Sequence, residues 1–179
     1  TDGVNYLQSV DYRYSIRGLL TSINNAQLTN DQVANDDSGD YFGMELVYNN
    51  AEGGLSNTPY YNGNISAIKW KGVGSEAGTA DQKSFKYAYD KSSRLKAAIY
   101  QEKDASAWTA NEGVFNETMS YDHNVNITDL QRNQRKHQLN GVVASYTAEA
   151  IDNLTYTYTH GNKLSKVEDG ATIAGFNNG

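Results

Sequence analysis

The chain has 179 residues, a net charge of −6, one Pro and no Cys. That inventory excludes a disulfide framework, a thiolate nucleophile and a Cys-based zinc site, and it argues against a nucleic-acid partner bound by neutralising phosphates. Mean hydropathy is −0.70, and no apolar run approaches the length of a membrane span.

In chain order, the first predicted element is an edge strand around 4–10. Tyr12-Arg13-Tyr14-Ser15 and Ile16-Arg17-Gly18-Leu19-Leu20 follow and read as a β-hairpin. Tyr-x-Tyr puts two rings on one strand face. Ser15 carries a short oxygen side chain that accepts from a backbone N–H two residues on, and Gly18 suits a left-handed φ. A polar connection at 24–40 comes next, with a short helix expected near 28–34. Residues 44–48 and 65–70 read as strands, and Tyr61-Asn62-Gly63-Asn64-Ile65 reads as a shorter relative of the hairpin. A loop at 72–80 leads to a strand at 84–87. Tyr87-Ala88-Tyr89-Asp90 opens a second hairpin whose return strand begins at Leu95, and Trp108 sits in a connection at 105–111. Met119-Ser120-Tyr121-Asp122 opens a third that returns at Ile127. A loop is expected at 130–140 and a strand at 142–146. Tyr156-Thr157-Tyr158-Thr159 opens the fourth, with Asn162 in the place of Gly18 and the return at Leu164; 163–167 is the expected C-terminal edge strand.

The four units share one offset. An aliphatic stands six residues after the second ring position: Leu20 after Tyr14, Leu95 after Tyr89, Ile127 after Tyr121 and Leu164 after Tyr158. The next aliphatic is often three residues on, at Ile23, Leu130 and Val167. That spacing breaks strict alternation and predicts a bulge or a late strand start. Leu, Ile, Val and Phe make under a fifth of the chain, a level compatible with disorder. The 14 Tyr argue for folding, because each buries a ring and keeps its hydroxyl wet. The reading is an all-β chain with thin, polar, Tyr-lined layers. Single hairpins are marginal, so these must share a buried face. No composition shift marks a boundary, so residues 1–179 are taken as one segment. The chain starts at Thr1 without a signal-like stretch, and the expectation is a processed chain or a fragment of a longer protein.

These units resemble the YD (Tyr-Asp) repeats of Rhs/YD-repeat proteins, and their order is similar to the repeat-associated core region of Bacteroidetes-type Rhs proteins. The resemblance rests on Tyr-x-Tyr-x-x-Arg-Gly at 12–18, Tyr-Phe-Gly-x-x-Leu-x-Tyr at 41–48 and Tyr-Asn-Gly-Asn-Ile-Ser through to Trp70 at 61–70. It extends through Tyr-x-Tyr-Asp to Arg-Leu at 87–95 and Ile-Asp-Asn-Leu-Thr-Tyr-x-Tyr at 151–158. It covers roughly 10–169. The family's turn Gly is present only at Gly18, with Ser93, Val125 and Asn162 elsewhere, and Asp follows Tyr only at Asp90 and Asp122. The resemblance implies antiparallel YD-repeat hairpins forming a curved sheet, part of a hollow shell or open barrel. It implies a secreted or cell-surface protein that encloses or presents a cargo such as a C-terminal toxin. The partners it implies are the rest of the parent chain or a second copy, joined through sheet edges. YD-repeat relatives are also implicated in adhesion, which makes a carbohydrate- or receptor-binding surface module the alternative.

Candidate sites each carry a functional and a structural reading. Ser15, Gly18, Asp90, Asp122, Thr159 and Asn162 are read as structural turn positions. Asp90 and Asp122 can be imagined as a glycosidase pair, but their shared repeat position favours turn capping. Trp70 and Trp108 are candidates for stacking on sugar rings, against a packing role in the sheet. Asn35-Asp36-Asp37-Ser38-Gly39-Asp40 offers oxygen ligands around a Gly but lacks EF-hand spacing, so a solvated turn is preferred to a Ca²⁺ site. His123, His137 and His160 lie far apart and form no ligand or triad pattern. The basic run Arg132, Arg135, Lys136, His137 reads as a solvated loop face. Asn64, Asn116, Asn126 and Asn153 stand in N-glycosylation sequons, which matter only if the source glycosylates. No cofactor, no metal and no catalytic residue is expected.

Overall fold

The structure, a computed structural model, describes residues 9–37, 39–73, 82–104, 107–110, 113–140 and 143–172. Among the described residues there is no helix. Eleven strands follow one another: β1 (Tyr12–Tyr14), β2 (Leu20–Ile23), β3 (Phe42–Val47), β4 (Ala67–Gly72), β5 (Gln82–Tyr89), β6 (Leu95–Asp104), β7 (Ala107–Ala110), β8 (Glu117–Tyr121), β9 (Ile127–Asn140), β10 (Val143–Thr159) and β11 (Lys163–Asp169). The pairing path runs β1-β2-β3-β4-β5-β6-β8-β9-β10-β11, with β7 paired to β6 off the path. The fold is therefore all-β, and among the described residues the path has two ends, β1 and β11. Two compact units divide the chain: Thr1–Phe85 with Glu102–Ala110, and Lys86–Gln101 with Asn111–Gly179. Both β5 and β6 contribute to each, so the division runs through strands and leaves no linker to read in the composition.

In the first unit, Val47, Leu55, Ala67 and Trp108 form the buried apolar cluster. Around it the interior is polar. Asn57 Nδ2 donates to the Asn50 carbonyl at 2.8 Å and to Ser66 Oγ at 2.9 Å, and Ser66 Oγ donates to the Val47 carbonyl at 3.1 Å. Lys69 is buried between Glu45 at 2.6 Å and Glu52 at 2.8 Å. Burial pulls the Lys69 ammonium down, and its bonds to the two carboxylates more than reverse this, leaving it raised. In the second unit, Ala98, Tyr100 and Val114 are buried, and Tyr100 meets Phe115 edge-on at 5.0 Å.

The helix expected at 28–34 is absent. Leu28 and Gln32 have positive φ, 58° and 56°. Asn25 Oδ1 accepts from the Gln27 and Thr29 amides, and Asp31 Oδ1 accepts from the Val33, Ala34 and Asn35 amides. These side chains take the amides that a helix would have used.

The loop expected at 130–140 is also corrected: those residues belong to β9, which pairs with β10 over most of its length. The strand is polar, and its partner supplies complementary charge. Arg132 lies directly opposite Asp152 and bonds it at 2.7 Å. Lys136, diagonal to Glu149, pairs with it as well. The predicted strand at 65–70 starts later, at Ala67, and Gly72, expected in a loop, closes β4. Tyr61 to Ile65 forms an Asx turn, with the Asn64 amide donating to Asn62 Oδ1 at 3.0 Å, and no strand. Of the N-terminal strand expected at 4–10, residues 4–8 lie outside the described residues, as do 74–80 and Val142. Ser9 and Val10 are not in a strand, so among the described residues the path begins at β1.

Candidate functional site

Asp90 Oδ1 accepts from the Ser92 amide at 2.8 Å and the Arg94 amide at 3.0 Å. Asp122 Oδ1 accepts from the Asn124 amide at 2.8 Å and the Asn126 amide at 2.9 Å. Ser15 Oγ accepts from the Arg17 and Leu19 amides at 3.3 and 3.2 Å. Three different turns thus use one bonding pattern. In each, the fourth residue donates its amide to the first residue's carbonyl: Gly18 to Ser15, Ser93 to Asp90 and Val125 to Asp122. The fourth place has positive φ in all four units: Gly18 74°, Ser93 60°, Val125 71° and Asn162 59°. This is the three-residue hairpin loop in which a type I turn is followed by a left-handed residue. The fourth turn departs from it. Gly161 is also at positive φ, 77°, and the Thr159 hydroxyl donates to the Lys163 carbonyl at 3.3 Å instead of accepting.

Beyond the first, third and fourth turns lies a register shift. Tyr14 pairs with Leu20 but Arg13 with Ser22; Tyr121 pairs with Ile127 but Ser120 with Asp129; Tyr158 pairs with Leu164 but Thr157 with Lys166. The extra residues are Thr21, Thr128 and Ser165. One inserted residue changes the face of everything after it. Ile23, Leu130 and Val167 therefore fall opposite Tyr12, Met119 and Tyr156. The three-residue aliphatic spacing is the footprint of this bulge.

Tyr hydroxyls then tie one hairpin to the one before it. Tyr121 Oη donates to the Leu95 carbonyl at 2.7 Å, and Tyr158 Oη donates to the Ile127 carbonyl at 2.9 Å. In the first unit Tyr48 Oη, from the residue after β3, makes the matching bond to the Leu20 carbonyl at 2.9 Å. The acceptor is in each case the aliphatic that opens a return strand.

The turns of the second unit are also linked. Arg94 Nε donates to Asp90 Oδ2 at 2.5 Å, its Nη1 donates to the Asp122 carbonyl at 3.1 Å, and its guanidinium lies 4.6 Å from the Tyr121 ring centre. Asn124 and Asn126 both donate to Asn162 Oδ1, at 3.1 and 3.2 Å. The Arg94 amide holds the Asp90 carboxyl below its usual range, and the Asn126 side chain does the same for Asp122. A glycosidase acid needs the opposite shift.

Of the candidate stacking residues, Trp108 is 4% exposed, within the core cluster, so neither ring face is open to a sugar. Trp70 stacks on Phe85 at 5.7 Å. The most exposed rings among the described residues are others: Tyr12 at 57%, Tyr14 at 63% and Tyr61 at 74%. Tyr12 and Tyr14 line a cleft of about 550 Å³ together with Asp11, Arg13, Gln32 and Asp36. Their short strand at the path's end leaves them uncovered, a placement that the repeat pattern alone does not show.

His123 and His160 are exposed at turns, and the side chain of His137 lies outside the described residues. The basic run is held by the sheet: Arg132 and Lys136 face carboxylates of β10, and the Arg135 guanidinium lies 5.3 Å from the Phe115 ring centre. In the acidic stretch, Asn35 and Asp40 are buried, at 1% and 3% exposure. Burial pushes the Asp40 carboxyl up, the nearby Asn35 amide tempers this, and the charges of Asp37, Asp11 and Asp36 push it further up. Neither Asp40 oxygen accepts a hydrogen bond of full geometry, the Asn35 side chain acting on it only weakly.

No protein-family model and no curated protein matches the chain.

Proposed function

We propose that this chain is a structural segment of a secreted or cell-surface YD-repeat protein of the Rhs type, whose hairpins enclose or present a cargo such as a C-terminal toxin. The observation that carries the reading is the repeated bond from a Tyr hydroxyl to the first carbonyl of the preceding return strand. Donor and acceptor recur in successive hairpins, so the contact extends with each added unit, as stability does in repeat proteins. The ends of the path also fit. Every residue of β11 is exposed, and an unpaired edge invites a further strand from the parent chain or a second copy. Light scattering across protein concentration tests this. Association that grows with concentration and is lost in Val167→Pro, which blocks strand addition at β11, is expected. A strict monomer at every concentration contradicts the reading.

A second reading, a carbohydrate-binding module, is favoured by the Tyr12–Tyr14 cleft, where exposed rings stand beside Asp, Arg and Gln side chains. A glycan array with wild type and Tyr14→Ala separates the two. Binding that disappears in the variant supports the module, and silence across the array leaves the structural role.

A further inference from the structure

Near the start of β3, the charges of Asp37, Asp11 and Asp36 all act on Asp40. Asp11 precedes β1, and Asp36, Asp37 and Asp40 belong to the connection that enters β3. The Asp36 amide donates to Asp11 Oδ2 at 3.2 Å. Asp11 and Asn24 exchange two bonds, each 2.7 Å, and Asn24 Nδ2 donates to the Phe42 carbonyl at 2.8 Å. Ser9 Oγ donates to Asp37 Oδ2, and Asn30 Nδ2 donates to the Asp36 carbonyl at 2.9 Å. These bonds tie the segments of Asp11, Asp36 and Asp37 together. Asp40 is 3% exposed, and neither of its buried oxygens, nor Asp37 Oδ1, accepts a hydrogen bond of full geometry, the Asn35 side chain acting on Asp40 only weakly. An ionised carboxylate in that position must acquire a proton or a cation.

We propose that Asp40 and Asp37 bind a calcium ion, with Asp11 and Asp36 adding attraction and water completing the shell. Buried free oxygens on two side chains suit a hard cation that takes six to eight oxygen ligands. Magnesium sheds its water reluctantly and needs near-ideal octahedral geometry, so a buried carboxylate pair favours calcium. Among the described residues no three acidic or histidine side chains form a ligand cluster. Two protein carboxylates then place the affinity in the weak range of extracellular modules, about 0.1–1 mM.

The test is thermal unfolding of chelator-treated full chain against rising CaCl₂, with wild type, Asp40→Asn and Asp37→Asn compared. Wild type is expected to gain a saturable rise in Tm with its midpoint at about 0.1–1 mM. MgCl₂ at equal ionic strength is expected to give a much smaller rise. Asp40→Asn is expected to lose the response while unfolding no lower than wild type without calcium, because it removes a buried charge. Should that variant fail to fold, Asp37→Asn carries the comparison. A wild-type Tm indifferent to calcium up to about 10 mM, well above the weak range, overturns the proposal in favour of a protonated Asp40. An equal response to magnesium, or a full response in both variants, overturns it as general screening or a site elsewhere.

Discussion

The Tyr121 hydroxyl donates to the Leu95 carbonyl at 2.7 Å, joining the third hairpin to the return strand of the second. Leu95 opens β6, and Tyr121 closes β8. The same relation holds between Tyr158 and Ile127 one hairpin later. The Tyr near the end of each of these strands, after Met119 in one hairpin and after Tyr156 in the next, therefore has two duties. Its ring is half-buried on the sheet, and its hydroxyl satisfies the first carbonyl of a return strand, which at Ile127 stands beside a bulge.

Val125 carries backbone strain. Its φ is 71° and its side chain is 62% exposed, so it accepts a left-handed conformation with little burial in return. Val125→Gly is expected to stabilise the protein by about 1 kcal/mol, the strain relieved exceeding the entropy that Gly adds to the unfolded chain. Urea unfolding checks this. A loss of stability shows that the Val side chain contributes more at this turn than the strain costs.

Gly43 is needed for close approach. A Cβ at this position would stand 1.9 Å from the Asn25 carbonyl oxygen, and backbone cannot swing aside as a side-chain end can. Gly43→Ala is expected to cost about 3 kcal/mol, at the upper end for overpacking. Gly53→Ala, where a Cβ meets open space, is the control and is expected to change stability by under about 0.5 kcal/mol.

The turn carboxylates set the acid side of the stability profile. Amides of Asn35, Val33 and Ala34 hold Asp31 at about 2, below the ordinary 3.8, and Asp90 and Asp122 are also lowered. A carboxyl depressed by folding adds stability that is fully present above its unfolded value and is lost as pH falls through its folded one. Stability is therefore expected to fall from about pH 4 toward pH 2. Asp31→Asn is expected to flatten that decline, and carbon-detected NMR is expected to place the Asp31 midpoint near 2. A midpoint near 3.8 would mean that the loop bonds are not kept in solution.

Much of this was legible in the sequence where side-chain type dictates local bonding. Ser15, Asp90 and Asp122 announce their turns because a short oxygen side chain reaches the amides two and four residues on. The Leu20–Ile23 spacing announces the bulge. The misses share a cause. β9 looked like a loop because its polar residues are stabilised from the opposite strand, by Asp152 and Glu149, and no local pattern records that. The connection at 24–40 looked partly helical because Asn25 and Asp31 compete for amides in ways that residue spacing does not display. Trp108 read equally well as ligand platform or core, and burial against Val47, Leu55 and Ala67 decided it. The uncovered pair Tyr12 and Tyr14 follows from β1 lying at the path's end, which is a property of topology.

The central claim is that Tyr hydroxyls lock successive hairpins together through the first carbonyl of the preceding return strand. Equilibrium urea unfolding of Tyr121→Phe, Tyr158→Phe and the double variant tests it most directly, because Phe keeps the ring and removes only the hydroxyl. Each single change is expected to cost about 1 kcal/mol, and the double about 2 kcal/mol with an unchanged slope. Wild-type stability in the double variant would contradict the account, since the carbonyls of Leu95 and Ile127 would then be as well satisfied without the tyrosines.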